Sequence, residues 1–148
     1  MKEAIARKNT DDLLKELESS EDFVRYYSDN RDQFVDRSLP DALSSLLKEK
    51  GMTKPEVIQK AELNENTGFQ IFSGIRRPSR EKLLSIALAM KLSFPETRLL
   101  LRTAGLAPLY VKDEFDCVVA YGILHQESVL QVNERLFDCL GKTLGDEK

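Results

Sequence analysis

Tryptophan is absent from the sequence, and histidine, cysteine, proline and glycine are few: one His, two Cys, five Pro and seven Gly among 148 residues. Sparse glycine and proline argue against the many tight turns of a β-sandwich or barrel. Charged residues make up 32% of the chain and hydrophobic residues 41%, which is typical of helices with one solvated face. We therefore expect an all-α protein with one core of ordinary size, or a small domain flanked by helical arms.

Long apolar runs are missing as well. No stretch approaches the roughly 20 apolar residues that span a bilayer, and the first residues lack the apolar segment of a secretory signal. We therefore expect the protein to stay in the cytoplasm and not to bind membranes.

Residues suited to metal binding or catalysis are also scarce. Cys117 and Cys139 do not form a Cys-x-x-Cys pair, and His125 is the one histidine, so we expect buried, reduced thiols and no metal site. A Gly-rich phosphate loop, a paired-carboxylate cleft and a Ser–His or Cys–His arrangement are not recognisable. The sequence therefore predicts neither an enzyme nor a cofactor, and no small-molecule ligand is evident.

Charge is unevenly distributed along the chain. Residues 41–107 hold 11 Lys and Arg against 7 Asp and Glu, a net charge of +4, whereas residues 1–40 carry −3 and residues 108–148 carry −4. A basic centre between acidic flanks is what a local phosphate-binding face would produce, and it also fits uneven surface charge with no partner.

The first 38 residues predict an acidic N-terminal arm of two helices, one over about 11–18 with a start signal in residues 9–12 and one that extends to about residue 36. Apolar residues recur in it at three-and-four spacing and need a partner surface, from the rest of the chain or from a second copy. These residues are Leu13, Leu14, Leu17, Phe23, Tyr26, Tyr27 and Phe34.

Residues 108–148 predict a C-terminal arm. The apolar run 117–124 fits a buried strand or a buried helix, and we favour a helix because no second strand candidate exists to pair with it. Ser128 and Gln131 form a capping box before an amphipathic helix that ends at Gly141. Its apolar stripe, which we expect to serve a dimer interface, consists of Val129, Val132, Leu136, Phe137 and Leu140.

Residues 39–107 predict five short helices, each with a start or stop signal. The fourth spans about 80–90 and follows a basic loop over 75–79. The remaining signals are Gly51 after the first helix, a capping box of Thr53 and Glu56 before the second, Asn64 and Gly74 around the third, and a capping box of Ser93 and Glu96 before a fifth that ends at Gly105.

This order of caps, turn and basic loop over 51–79 resembles the phage-repressor and Cro family of helix-turn-helix proteins, also called the xenobiotic-response-element-like family. The resemblance covers about residues 39–107. It implies a five-helix repressor-like bundle, here with N- and C-terminal helical arms, in which helix 64–73 enters the major groove of duplex DNA and the preceding helix braces it.

The resemblance also implies which side chains contact DNA. The first exposed positions of the recognition helix read bases in this family, and here they are Glu65, Asn66, Phe69 and Gln70. The amides of Asn66 and Gln70 can donate to and accept from adenine in one plane, whereas Glu65 can only accept from cytosine and Phe69 can contact a thymine methyl group. Phosphate contacts are expected from Lys54, Asn64, Arg76 and Arg77.

Two positions depart from the family pattern. Glu62 stands in the turn where the family usually has glycine, so either it adopts a left-handed conformation at a cost of about 1 kcal/mol or the turn has another shape. Gly68 replaces an aliphatic residue inside the recognition helix, which costs about 1 kcal/mol of helix propensity and a core contact, and it leaves room for a closer approach to DNA.

The function expected from these features is that of a sequence-specific duplex-DNA-binding transcriptional regulator, a repressor or autoregulator. A homodimer is expected because one recognition helix reads too few bases for useful specificity; its interface would draw on the C-terminal stripe or on Phe23, Tyr26 and Tyr27. The alternative is a non-enzymatic protein-interaction module or antitoxin-like partner on the same fold, whose acidic arms bind protein.

Overall fold

The computed structural model describes residues 8–34 and 38–145 and divides the chain into two compact units, which separate after residue 36. All the regular secondary structure assigned within these ranges is helical, so the prediction of an all-α protein is confirmed for them. In chain order the helices are α1 (Thr10–Ser19), α2 (Phe23–Asp29), α3 (Leu39–Lys50), α4 (Lys54–Lys60), α5 (Glu65–Ser73), α6 (Arg80–Ala89), α7 (Phe94–Thr103), α8 (Glu114–Leu124) and α9 (Val129–Leu140).

The first unit contains α1, α2 and a single 3₁₀ turn, Arg31–Gln33. Within the start signal predicted over residues 9–12, Asn9 is the residue that caps α1, with Oδ1 accepting from the Asp12 N–H at 2.8 Å. The second helix ends at Asp29, before the predicted end near residue 36. It ends there because the side chain of the buried Asn30 turns back to donate to the Tyr26 carbonyl. Residues 35 and 36 lie outside the described part of the chain.

Aromatic rings of the predicted N-terminal stripe contact one another in this unit. The ring centroids of Tyr27 and Phe34 are 5.2 Å apart, and those of Phe23 and Tyr27 are 6.3 Å apart. All three rings remain exposed. The stripe is therefore an aromatic surface cluster within its own unit.

The second unit is built around α6, in which every residue from Leu83 to Ala89 is buried. This helix contacts α4, α7, α8 and α9. The hydrophobic core accordingly combines residues of the predicted helix-turn-helix segment, such as Leu43 and Ile71, with residues of the C-terminal segment, such as Val119 and Leu136. Residues 39–107 and 108–145 share one core.

The C-terminal segment is helical, and the helix favoured for the apolar run 117–124 is confirmed as part of α8. We expected the apolar stripe of α9 to form a dimer interface. That expectation is wrong for Val129, Val132 and Leu136, which are buried in the core of their own unit. Leu140 is half-buried, and Phe137 is the member of the stripe that remains exposed.

A bidentate salt bridge joins α6 to α8. Arg80 Nη1 and Nη2 donate to the two carboxylate oxygens of Asp116 at 2.8 Å, and Arg80 also donates to the carbonyls of Ala107 and Pro108. Burial of Asp116 opposes its ionisation, but the hydrogen bonds from Arg80 and from the Tyr110 N–H together outweigh burial and hold the pKa of the carboxyl below its usual value. The bridge thus fixes the loop between α7 and α8.

The C-terminal ends of α6 and α8 are linked through two residues in the left-handed conformation. Lys91 has φ 55° and Gln126 has φ 56°, a region that costs a side-chain-bearing residue about 1 kcal/mol. Lys91 Nζ donates to the Gln126 carbonyl at 2.6 Å, and Gln126 Nε2 donates to the Leu92 carbonyl at 3.3 Å. These reciprocal hydrogen bonds offset part of the conformational cost.

Both cysteines are exposed, so the expectation of buried thiols is wrong. In α8 the inward positions are taken by Val119, Ala120 and Ile123, which leaves Cys117 on the outer face. In α9 the core-facing positions include Val132, Leu136 and the half-buried Leu140, which leaves Cys139 exposed to solvent. Among the helices of residues 8–34 and 38–145, none combines the length and the apolar character needed to cross a membrane.

Candidate nucleic-acid interface

The α4–α5 pair begins with a half-formed capping box. Thr53 Oγ1 accepts from the Glu56 N–H at 3.3 Å, as predicted, but the Glu56 carboxylate pairs with Lys60 Nζ at 3.2 Å rather than returning to the Thr53 backbone. The capping boxes predicted at Ser93 and Ser128 are complete and confirmed. The start of α4 at Lys54 thus has one of the two bonds of a capping box, together with a proline in the first turn.

Gly68 allows α5 to lie directly against α4. It is buried, and a Cβ added to it would lie 2.6–2.8 Å from three side-chain carbons of Ile58. Because this side of Gly68 faces α4, the glycine brings the two helices together and does not bring α5 closer to DNA. The position therefore fixes the packing of the pair.

The turn between α4 and α5 contains Glu62 in the left-handed conformation, with φ 58°. Of the two possibilities that the sequence left open, the strained one is therefore the one adopted. The Glu62 N–H donates to the Gln59 carbonyl and the Leu63 N–H to the Ile58 carbonyl, so the turn closes the end of α4. The Glu62 carboxylate also accepts from Asn133 Nδ2 of α9 at 3.2 Å.

The outer face of α5 carries the four residues predicted to read bases. Glu65 and Asn66 are exposed, 38% of Phe69 is accessible, and Gln70 is half-buried. Ser73 lies seven residues after Asn66 and is exposed on the same face, a position that the family pattern did not single out. The opposite face, with Ile71 and Phe72, is buried.

Asn64, predicted to contact phosphate, is the N-cap of α5. Its Oδ1 accepts from the Thr67 N–H at 3.2 Å. The side-chain amide nitrogen remains as the donor group that could reach a phosphate, beside the free N–H groups of the first helical turn.

Arg76 is held against α5 by Gln70. The Arg76 backbone N–H donates to the Gln70 carbonyl at 3.2 Å, and Arg76 Nε donates to Gln70 Oε1 at 3.1 Å. This return of the chain depends on Gly74, which has φ 86° and where an added Cβ would lie 2.8 Å from Pro40 of α3. Gln70, predicted to read a base, and Arg76, predicted to contact phosphate, are thus hydrogen-bonded to each other.

The other two predicted phosphate contacts, Lys54 and Arg77, are exposed, and neither has a hydrogen-bonding or ionic partner among residues 8–34 and 38–145. Several other basic residues of the central segment already have partners in the protein. Lys50 pairs with Glu96, Lys60 with Glu56, Arg80 with Asp116, and Lys91 with the Gln126 carbonyl. Of these partners, Asp116 is the acidic residue that lies outside the segment, so its pairing with Arg80 lowers the charge available to a ligand below the segment's net +4. Lys54, Arg76 and Arg77 are the exposed cations next to α4 and α5 without an acidic partner, and Lys48 and Arg102 are exposed elsewhere in the segment.

An open groove of about 680 Å³ lies beside this surface. Its walls come from the α4–α5 turn, from α6, from α9 and from residues 143–145, and they include Asn64, Arg76 and Lys82. Asn133 crosses one wall, donating to Glu62 and accepting from the Leu144 N–H at 2.8 Å. The α4–α5 turn and the C-terminal residues are thereby connected.

Within the described ranges, no group of three or more His, Cys, Asp or Glu side chains is placed to hold a metal ion. No protein-family model matches the chain, and neither a curated protein sequence nor a solved structure is significantly similar to it.

Proposed function

We propose that this protein is a sequence-specific DNA-binding regulator, a repressor or autoregulator, that inserts α5 into the major groove of duplex DNA. The observation that carries the proposal is the division of α5 into two faces. Gly68, Ile71 and Phe72 fix one face in the core, and Asn66 and Gln70 lie on the other with amides that can pair with base edges.

Docking on the phosphate backbone is assigned to groups around α5. Lys54 begins α4, Asn64 caps α5, and Arg77 follows α5, so donors and cations flank the reading face at both ends. Contacts of this kind set orientation on the duplex and make affinity fall with salt.

A homodimer belongs to the same proposal, because one helix of nine residues reads too few base pairs for useful specificity. The interface draws on Phe137 of α9, which is 62% exposed, or on the aromatic cluster that includes Tyr27. Light scattering at tens of micromolar should give the mass of a dimer, and Phe137→Glu or Tyr27→Glu should reduce it to that of a monomer.

The second candidate function is a non-enzymatic protein-interaction module or antitoxin-like partner. Apolar exposure at the same surface favours it, since Ile75 is 79% exposed and Phe69 is 38% exposed beside the acidic Glu65. A protein partner would use these apolar side chains, whereas a DNA ligand would use the amides and cations.

Selection of binding sites from random duplexes tests the proposal. A DNA-binding regulator should enrich one sequence, and its affinity should fall steeply as salt increases from about 50 to 200 mM. Binding that stays equally weak on all duplexes, together with retention of a protein partner sensitive to Ile75→Ser, would favour the interaction module.

A further inference from the structure

We propose that Arg76 is a specificity-determining residue that reads a guanine in the major groove and is held in position by Gln70. This inference rests on the proposed function. It changes the assignment of Arg76 from a phosphate contact to a base contact, and it changes the role of Gln70 from an independent adenine reader to a support.

The backbone places Arg76 at the level of the reading face. After α5 ends, Gly74 turns the chain, and the Arg76 N–H binds the Gln70 carbonyl six residues back along the sequence. Gln70 lies one helical turn after Asn66, so the guanidinium bound to its amide belongs to the same face as Asn66.

The hydrogen bond between the two side chains leaves the reading edge of the guanidinium open. Nε is used by Gln70 Oε1, whereas Nη1 and Nη2 have no partner among the described residues. These two nitrogens present parallel N–H donors in one plane. Guanine offers the matching pair of acceptors, O6 and N7, and this bidentate contact is the commonest specific one in the major groove.

The same bond reduces the suitability of Gln70 for adenine. Bidentate pairing with adenine needs the amide oxygen to accept from N6 while the amide nitrogen donates to N7. In this structure the oxygen already accepts from Arg76 Nε, and one lone pair of that oxygen is occupied. The amide nitrogen remains a donor to a neighbouring base.

Arg77 provides the contrast within the same loop. It is exposed and has no side-chain partner in the described residues, as suits a contact with phosphate that needs little geometric precision. Arg76 is fixed by one backbone and one side-chain hydrogen bond, and such orientation matters for reading a base edge. The two adjacent arginines therefore form a matched pair for an experiment.

The test uses the full-length protein on duplexes selected from a random pool. Arg76→Lys retains the charge but lacks the planar donor edge, and Arg77→Lys is the control. Arg76→Lys should weaken binding to the selected duplex roughly 5- to 100-fold, with unchanged affinity for unrelated duplexes and an unchanged salt dependence. Arg77→Lys should change binding to both kinds of duplex by less than roughly threefold.

An atomic substitution in the DNA provides a second readout that does not depend on a protein variant. Replacing the selected guanine by 7-deazaguanine removes N7, so the wild-type protein should bind the deaza duplex more weakly than the selected one. The Arg76→Lys variant should bind the two duplexes equally. Equal losses for Arg76→Lys and Arg77→Lys, or an undiminished wild-type affinity for the deaza duplex, would overturn the guanine assignment alone. Failure to select any duplex would instead overturn the proposed function with it.

Discussion

Arg80 and Asp116 bind each other through two 2.8 Å hydrogen bonds across 36 residues of sequence. The side chain of Asp116 is 8% exposed and that of Arg80 is 20% exposed. The pair joins the first turn of α6, which follows the proposed DNA-contacting loop, to the first turn of α8 in the C-terminal segment. The position of that loop therefore depends on residues far beyond α4 and α5.

We expect Asp116→Asn to destabilise the protein by about 2–3 kcal/mol, because it leaves the Arg80 charge without its counter-charge in a partly buried position. Urea-induced unfolding followed by circular dichroism measures the change. The control is Glu56→Gln, which removes an exposed i,i+4 pair with Lys60 and should cost no more than about 0.5 kcal/mol. Equal effects of the two variants would contradict a structural role for the buried bridge.

The stability contributed by Asp116 should disappear in acid. Its pKa is lowered in the folded protein, so the contribution is present above the ordinary unfolded pKa of about 3.9 and is lost as pH falls through the lower folded value. Wild-type and Asp116→Asn proteins should therefore differ most in unfolding free energy near neutral pH, and the difference should shrink as the pH falls below the ordinary carboxyl range. Glu96 and Glu127, whose pKa values are also lowered, are present in both proteins and cancel in the difference.

Gly68→Ala should be destabilising even though alanine favours helices. The new methyl group would meet Ile58 at 2.6–2.8 Å, and overpacking of this kind costs about 1–3 kcal/mol, against a gain of about 1 kcal/mol in helix propensity. A double-mutant cycle with Ile58→Ala tests the cause. The double variant should lose less stability than the two single losses together, since the added methyl group fills part of the space left by Ile58. Additive losses would show that the contact is not the reason for glycine here.

Residues proposed to read bases and residues proposed to dock on phosphate should have different effects on DNA binding when truncated. Asn66→Ala should cost about 1–3 kcal/mol on the selected duplex and relax the preference at one base pair in each half-site, with unrelated duplexes hardly affected. Arg77→Ala should weaken binding to every duplex alike and lower the slope of log affinity against log salt by about one. Fluorescence anisotropy at several salt concentrations separates the two. An unchanged site preference for Asn66→Ala would show that α5 presents another face to DNA.

Helix boundaries in the second unit follow signals that are local in sequence, which is why they could be predicted. Gly51, Gly74 and Gly141 adopt the left-handed conformation expected at helix ends, and Ser93 and Ser128 form complete capping boxes. Each of these signals involves backbone groups within about four residues, so neighbouring letters suffice to identify it.

Contacts between distant segments could not be predicted in the same way. The partner of Arg80 lies 36 residues away, and that of Glu62 lies 71 residues away. For α9, an amphipathic pattern indicates that one face is buried but not by which surface, and the face assigned to a dimer interface packs instead on its own unit. In the candidate site, positions on the outer face of α5 were predictable, whereas the bond between Arg76 and Gln70 depends on the path of the loop through Gly74.

The central position of α6 bears on how the proposed DNA-contacting surface can be inherited or engineered. A methyl group added at Gly122 of α8 would clash with Val132 of α9 and touch Leu88 of α6, so these three helices meet without spare space. In a fragment that ends at residue 107, the side of α6 that packs on α8 and α9 would be exposed to water, and the fragment would tend to aggregate. The α4–α5 pair of this chain is consequently not a portable module, and a fusion or recombinant must carry residues 38–145 as a whole.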